Sequence, residues 1–298
     1  MADRVVITGA TGHVGGELAR RLLKRGTKVR VIGRHAARLQ SLVELGAESA
    51  TGSVEDVAFL TRAFDGAQAV FAMIPPDFAA NDVRAYQRRV AEAYAGALKA
   101  AGAKHAVGLS SIGAELAEGN GPIAGLYDFE QQLNAVPNLM VVHLRAGFFM
   151  ENFLASIPLI KGQGINGGPV GADVPLAMIA TRDIAAVATE LLAAASFGGQ
   201  SVRELQGPRD YTMAEGTAIL GRGIGKPDLA YVAFPYDAAR QGLLGFGFSA
   251  SMADAYVEMA KAFNEGRVRA LQPRSAATTT LTTLEEFGPT FAAAYRAS

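Results

Sequence analysis

Short β-rich runs alternate with longer amphipathic runs through the first half of this 298-residue chain, and no other feature limits the fold as much. Arg4–Thr8 (Arg-Val-Val-Ile-Thr) is followed by Val14–Arg25, where Val14, Leu18, Leu22 and Leu23 recur near helical spacing. Lys28–Ile32 reads as a second strand and Ala47–Thr51 as a weak third. Ser53-Val-Glu-Asp56 has the spacing of a capping box opening a helix over Glu55–Phe64. Ala67–Ile74 is a continuous apolar run stopped by Pro75-Pro76, as expected of a strand buried on both faces. A long helix follows over Asp82–Ala101, ending at Gly102. Strands over Ala106–Ser110 and Leu139–Leu144 then flank a helix near Ile123–Ala135. This β-α unit, repeated about six times with short connections, predicts an α/β fold with a parallel sheet covered on both faces. Right-handed crossovers favour the doubly wound strand order 3-2-1-4-5-6.

After about residue 150 the alternation fades. Lys161–Pro175 is glycine-rich and irregular. Asp183 is placed to cap an alanine-rich helix, Ile184–Ala195. Thr212-Met-Ala-Glu215, Ser251-Met-Ala-Asp254 and Thr282-Thr-Leu-Glu285 each have capping-box spacing ahead of a helix.

Composition removes whole classes of chemistry. There are no cysteines, so disulfide scaffolds, Cys-ligated metal sites and thiol nucleophiles are excluded. Lys+Arg and Asp+Glu both total 28, so no broad basic surface for nucleic acid is expected. Met1-Ala2-Asp3-Arg4 runs into the first strand without an apolar signal core. No stretch of ~18 uncharged apolar residues occurs. The expectation is a soluble cytoplasmic protein with no membrane partner.

Gly9-Ala-Thr-Gly12-His-Val-Gly15 follows the first strand and opens the first helix. Glycines in that turn let the backbone approach a pyrophosphate, and the helix N-terminus offers free N–H groups and a favourable dipole. A second strand at the right distance completes the context of a dinucleotide-binding turn. An NAD site places an acid about 20 residues beyond the glycines. Here the chain has Gly33-Arg34-His35, then Arg38, and no acid until Glu44. A cation at Arg34 suits an adenosine 2′-phosphate, where one charge-assisted hydrogen bond contributes roughly 1.5–3 kcal/mol. That is about a tenfold to hundredfold preference, so NADP(H) is the expected cofactor. The alternative is a solvated basic turn, and His13 and His35 are either phosphate neighbours or incidental loop residues.

Several segments resemble the NmrA-like branch of the atypical short-chain dehydrogenase/reductases. They are Ile7-Thr-Gly-Ala-Thr-Gly-His-Val-Gly15, Gly102-Ala-Lys-His-Ala-Val-Gly-Leu-Ser-Ser-Ile112, Leu144-Arg-Ala-Gly-Phe-Phe-Met-Glu-Asn152, Thr181-Arg-Asp-Ile-Ala185 and Thr282-Thr-Leu-Glu-Glu-Phe287. The resemblance implies a Rossmann-type, NADP-binding domain over residues 1–152. A smaller, mainly helical C-terminal substrate-side lobe would span 153–298, with 176–206 packing back on the first domain. It implies that Gly9, Thr11, Gly12, His13, Val14, Gly15, Arg34, Gly52, Ser53, Ile74, Pro75 and Ser110 line the cofactor. The family usually carries an acid where Ser53 stands. It also implies two alternative activities: NADPH-dependent reduction of quinones and other conjugated compounds, or redox sensing through a protein partner without turnover.

The catalytic signature of ordinary short-chain reductases, Ser…Tyr-x-x-x-Lys, is incomplete. Ser110 and Ser111 close a strand and Tyr127 lies on the next helix, but Gln131 stands where the lysine belongs. The Lys-x-x-x-Glu pattern of the NmrA-like branch aligns with Leu126-x-x-x-Glu130, again without the lysine, and none occurs between Lys104 and Lys161. Tyr127 is therefore a candidate proton donor with no cation to activate it, and equally a packing or contact residue. A conjugated hydride acceptor, which stabilises its own charge, needs such a donor least. The histidines, His13, His35, His105 and His143, show no metal-binding spacing, and no Gly-x-Ser-x-Gly elbow occurs. Phe148, Phe149, Met150 and Phe153 follow the sixth strand, where ligands of open α/β sheets bind, and read as the substrate side. Gly242–Phe248 is either core or oligomer packing, or a glycine-hinged lid. The leading expectation is an NADPH-dependent oxidoreductase acting on a small hydrophobic, conjugated or quinone-like molecule. A non-catalytic NADP(H) sensor is the alternative, and a homo-oligomer or regulatory protein partner stays open.

Overall fold

In the computed structural model, which describes residues 4–298, the apolar runs of the first half form six parallel strands. Met1–Asp3, expected to lead directly into the first strand, lie outside the described residues. The strands are β1 (Arg4–Ile7), β2 (Lys28–Gly33), β3 (Glu48–Thr51), β4 (Ala67–Ala72), β5 (His105–Ser111) and β6 (Met140–Ala146). They are joined by α1 (His13–Lys24), a short α2 (Gln40–Val43), α3 (Val57–Phe64), α4 (Val83–Ala101) and α5 (Ala124–Asn134). Their order is β3-β2-β1-β4-β5-β6, the doubly wound arrangement expected. Successive residues of β1 bury opposite faces. Val5 and Ile7 pack with α1, and Val6 packs with the side chains of α3 and α4. Burial on both faces is why a central strand such as β4 reads as a continuous apolar run. Asp82 caps α4 by accepting from the Ala85 N–H, and Gly102 ends that helix in the left-handed region at φ 66°. The box expected at Ser53 does not form. Asp56 caps α3 at Phe59 instead, so the helix begins at Val57, and Ser53 accepts only from the Glu55 N–H.

In the second half, β7 (Phe148–Phe149) leads into α6 (Ile157–Gln163), β8 (Asn166–Gly168), β9 (Leu176–Ile179) and α7 (Thr181–Ala194). Next come β10 (Gln200–Leu205), β11 (Asp210–Tyr211), α8 (Met213–Gly223), β12 (Tyr231–Ala233), α9 (Tyr236–Gly245), α10 (Ala250–Asn264) and α11 (Leu284–Ala297). β10 pairs parallel with β6 and extends the large sheet, while α7 packs beside α1. The remaining strands form a three-stranded sheet, β11-β9-β7, and a pair, β12-β8, within a mainly helical lobe. The outer edge of β10 is covered, because Glu204 accepts from the Leu271 and Gln272 N–H groups and Gln206 pairs with Thr278 and Thr280.

Three expected caps move. Asp183 does not cap α7, which begins at Thr181. It accepts from the Thr282 N–H and hydroxyl and so ties α7 to the entry of α11. That leaves Thr283 and Glu286 to form the capping box of α11, one residue later than expected. Ser249 caps α10, and Ser251 instead accepts from the Val83 N–H at the start of α4. Thr212 caps α8 as expected.

His143 on β6 is 1% exposed, with Nε2 meeting Asn134 Oδ1 at 2.9 Å and Nδ1 left without a partner among the described residues. Burial pushes its pKa down to about 4. The folded state therefore holds it neutral, while the unfolded chain takes up a proton near its ordinary value. Stability from this group is complete above the unfolded pKa and is lost as pH falls toward the folded one. Between pH 7 and pH 5 it should cost roughly 2 kcal/mol. Denaturant titrations should show that this slope disappears in His143→Gln, and an equal slope in both proteins would refute the assignment.

Candidate functional site

Residues Thr8 to Gly15 form a turn that little else can replace. The Thr8 hydroxyl donates to the Phe71 carbonyl at 3.1 Å and accepts from the Met73 N–H, locking the end of β1 to the end of β4. Gly9 sits in the left-handed region at φ 64°, and a Cβ there would overlap the Met73 side chain. A Cβ on Gly15 would overlap the Gly9 carbonyl, so the first turn of α1 seats directly on the strand turn. Gly12 differs. A Cβ there would meet only the Gly9 carbonyl, at an ordinary 3.4 Å, so the fold itself does not require this glycine. No side chain caps α1 at Gly12, and its first turn presents unpaired N–H groups to open space. A cleft of about 530 Å³ opens over Thr11, Gly12 and His13, with Arg20 and Arg38 along it and Glu151 and Thr181 across it.

At the neighbouring strand ends, Gly52 donates its N–H to the Gly33 carbonyl at 3.1 Å. A Cβ on Gly52 would stand 2.7 Å from the Phe59 ring, so this glycine serves close packing between β2, β3 and α3. Ser53 follows it. Ile74 and Pro75 leave β4, and the Pro75 carbonyl accepts from the Tyr86 hydroxyl at 2.9 Å. Burial pushes the Tyr86 phenol up to about 12, against which the nearby Arg34 guanidinium acts.

Ser110 is buried at the end of β5, opposite Arg145 of β6. Its hydroxyl donates to Glu130 Oε1 at 2.6 Å. Arg145 grips both Glu130 oxygens, through Nε at 2.9 Å and Nη2 at 2.7 Å, and reaches Glu115 at 3.1 Å. Sequence reasoning reached Glu130 only as half of an incomplete motif and missed Arg145 altogether. Its one signal is an arginine inside an otherwise apolar strand. Tyr127 is half-buried on α5, and its hydroxyl has no hydrogen bond among the described residues.

Phe148 and Phe149 are half-buried in β7, but Met150 and Phe153, at 0% and 2% exposure, fill the core of the second lobe. Gly242–Phe248 covers the end of α9 and the turn after it. Phe248 stacks on Phe78 at 4.6 Å and meets Tyr256 edge-on, while Ser249 bonds the Phe78 and Ala80 carbonyls. This turn straps the loop that follows Pro75-Pro76. Among the described residues there is no cluster of metal-ligating side chains, and no helix is long and apolar enough to cross a membrane.

Comparison with known proteins agrees with this architecture. Residues 1–288 match the model of the NmrA-like family. The chain is 31% identical over 269 residues to a (4-alkanoyl-5-oxo-2,5-dihydrofuran-3-yl)methyl phosphate reductase of Streptomyces griseus, covering 90% of each chain. It is 30% identical over 259 residues to an NAD(P)H azoreductase of Xenophilus azovorans, covering 86% of this chain and 85% of that one. An NADPH-dependent quinone oxidoreductase from Escherichia coli, solved with NADPH, superposes with a TM-score of 0.78 at 25% identity, over 95% of this chain and 97% of that one. The chain belongs to the NmrA-like family.

Proposed function

We propose that this protein is an NADPH-dependent reductase that delivers hydride to a small, hydrophobic, conjugated or quinone-like acceptor. The observation that carries the reading is the uncapped first turn of α1, with space at Gly12 that a Cβ would fill. That cradle fits a pyrophosphate, held by backbone N–H groups at the positive end of the helix dipole. Gly9 and Gly15 shape the turn beneath it, and Thr11, His13 and Val14 border it. Arg34, Gly52, Ser53, Ile74 and Pro75, at the ends of β2, β3 and β4, would hold the adenosine. Ser110 and the Phe148–Phe149 strand would border the nicotinamide. When bound, NADPH supplies the hydride. Relatives named for azo, quinone and oxo-dihydrofuran phosphate reduction support the same acceptor class.

This chain's own side chains offer little acid. The Ser110 proton is committed to Glu130, and Arg145 is committed to Glu130 and Glu115 rather than to Tyr127. An acceptor that delocalises its own negative charge demands least from such a site. Phe148 and Phe149 supply an apolar wall against which a flat acceptor packs, while Met150 and Phe153 support it from the core. The reading carries a cytoplasmic setting with it, and leaves a second copy of the chain or a regulatory partner unassigned. The weak acid inventory also suits a non-catalytic NADP(H) sensor. NADPH-binding calorimetry beside an NADPH-oxidation assay over a quinone panel separates the two. Quinone-dependent oxidation is expected, whereas tight binding without oxidation would leave the sensor.

Gly12→Val should fold, at a stability cost of about 1 kcal/mol for a poor N-cap residue. It should nevertheless lose NADPH binding, because the branched side chain fills the cradle. Retained binding in the folded variant would reduce the loop to a simple turn. Tyr127→Phe keeps the ring and deletes only the hydroxyl. Its kcat should fall less than about tenfold, the scale of one ordinary hydrogen bond, against the hundredfold or more that a positioned general acid contributes. A thousandfold loss with intact NADPH binding would reinstate Tyr127 as the proton donor.

A further inference from the structure

Within the dinucleotide reading, on which this inference rests, Ser110 would border the nicotinamide, and its surroundings restrict how its hydroxyl can act. A serine hydroxyl has one proton to give and two lone pairs to offer. The Ser110 proton goes to Glu130 Oε1 at 2.6 Å, between residues that are 3% and 2% exposed. Arg145 holds the same carboxylate through Nε at 2.9 Å and Nη2 at 2.7 Å. A carboxylate paired with arginine is an acceptor only, so Glu130 gives no proton back to the serine.

Four segments hold this cluster in place. Ser110 comes from β5, Arg145 from the facing position of β6, and Glu130 from α5. Glu115, in the loop after β5, accepts from Arg145 Nη1 at 3.1 Å. Asn120, fully buried, pins that loop by donating to the Gly113 carbonyl at 2.8 Å and the Leu116 carbonyl at 3.1 Å. A serine on an open surface turns its hydroxyl to suit whatever approaches. At Ser110 that rotation would take a hydrogen bond from a buried carboxylate, where the loss is costly. The bond to Glu130 is the hydroxyl's one hydrogen bond among the described residues, so its lone pairs stay unclaimed.

We propose that Ser110, locked by Glu130, acts as a hydrogen-bond acceptor that anchors the carboxamide N–H of the nicotinamide, with Glu130 and Arg145 as positioning residues. The carboxamide nitrogen only donates, which matches an oxygen that can only accept. Ribose hydroxyls carry lone pairs of their own and demand no such partner. A quinone oxygen or an azo nitrogen also presents lone pairs, and these are repelled by those of Ser110. The role is the reverse of a serine that donates to a substrate oxygen. A carboxamide tied down in this way limits the rotation of its ring and so the face it offers for hydride transfer.

The test is titration calorimetry with NADP+, with its thionicotinamide analogue, which keeps the amide nitrogen, and with its 3-acetylpyridine analogue, which replaces that nitrogen by a methyl group. The wild type should bind the first two alike and the third about twofold to tenfold more weakly, the range of one hydrogen bond. Ser110→Ala should weaken NADP+ and erase the difference. Glu130→Gln should erase it while keeping the hydroxyl, because a glutamine N–H can donate to the Ser110 oxygen and free its proton. Thermal melts verify folding, and Ser110→Ala, which leaves the Glu130–Arg145 pair intact, decides the matter if Glu130→Gln does not fold. Discrimination that survives in Ser110→Ala, or in a folded Glu130→Gln, overturns the proposal. A wild type that binds all three nucleotides equally overturns it while leaving the dinucleotide reading intact. Binding of none overturns both.

Discussion

The contact on which the rest of the structure depends is the seat of α1 against the turn that ends β1. Gly15 has no room for a Cβ over the Gly9 carbonyl, and Gly9 has none beside Met73 while holding a backbone angle that other residues resist. The two glycines bring the helix axis close to the strand and aim its positive pole across the carboxyl edge of the sheet. Thr8 fixes the same point to β4 through two hydrogen bonds, so the turn is held from the side as well as from below. Every part of the candidate site, from the strand ends around Gly52 and Pro75 to the α1 cleft, is measured from that turn.

The N-termini of α1 and α7 are treated differently. The N-terminus of α7 is satisfied internally, because the Glu151 carboxylate accepts from Thr181. The N-terminus of α1 has no such partner. An internal carboxylate thus occupies the start of α7, whereas the start of α1 has no side-chain cap and keeps the dipole that favours an anion. On the far side of the edge, Glu130 and Arg145 form a buried pair that also takes the Ser110 proton. Breaking such a pair typically costs 3–5 kcal/mol, because one charge is left buried without its partner. The arginine comes from β6 rather than from α5, and its hydrogen bonds go to Glu130 and Glu115, with none to Tyr127 among the described residues.

The doubly wound order was legible because β1, β4, β5 and β6 are buried on both faces and read as mainly apolar runs of strand length. β10 was not legible in the same way. As an edge strand it reads Gln-Ser-Val-Arg-Glu-Leu, and its Glu204 carboxylate serves the covering segment at Leu271 and Gln272. Caps slipped where neighbouring hydroxyls or carboxylates offered more than one register. Asp183 and Ser251 went to partners roughly a hundred residues or more away, which spacing does not reveal. In the site, the turn glycines were visible from their context, but the division of labour among them was not. The aromatic run after β6 divided as well, with Phe148 and Phe149 at the edge and Met150 and Phe153 in the core. The Glu130–Arg145 pair depends on contact between elements, and short-range patterns do not carry it.

The central claim is that the α1 turn holds a hydride donor whose hydride leaves for a conjugated acceptor. The most direct test is a single-turnover experiment with NADPH deuterated separately at each of its two C4 positions, mixed with enzyme and a quinone. The account predicts that oxidation is slowed by deuterium at one position and not at the other, because a fixed nicotinamide presents a single face to the acceptor. NADPH that binds at the α1 turn but is never oxidised, or oxidation indifferent to which position carries the label, would contradict it.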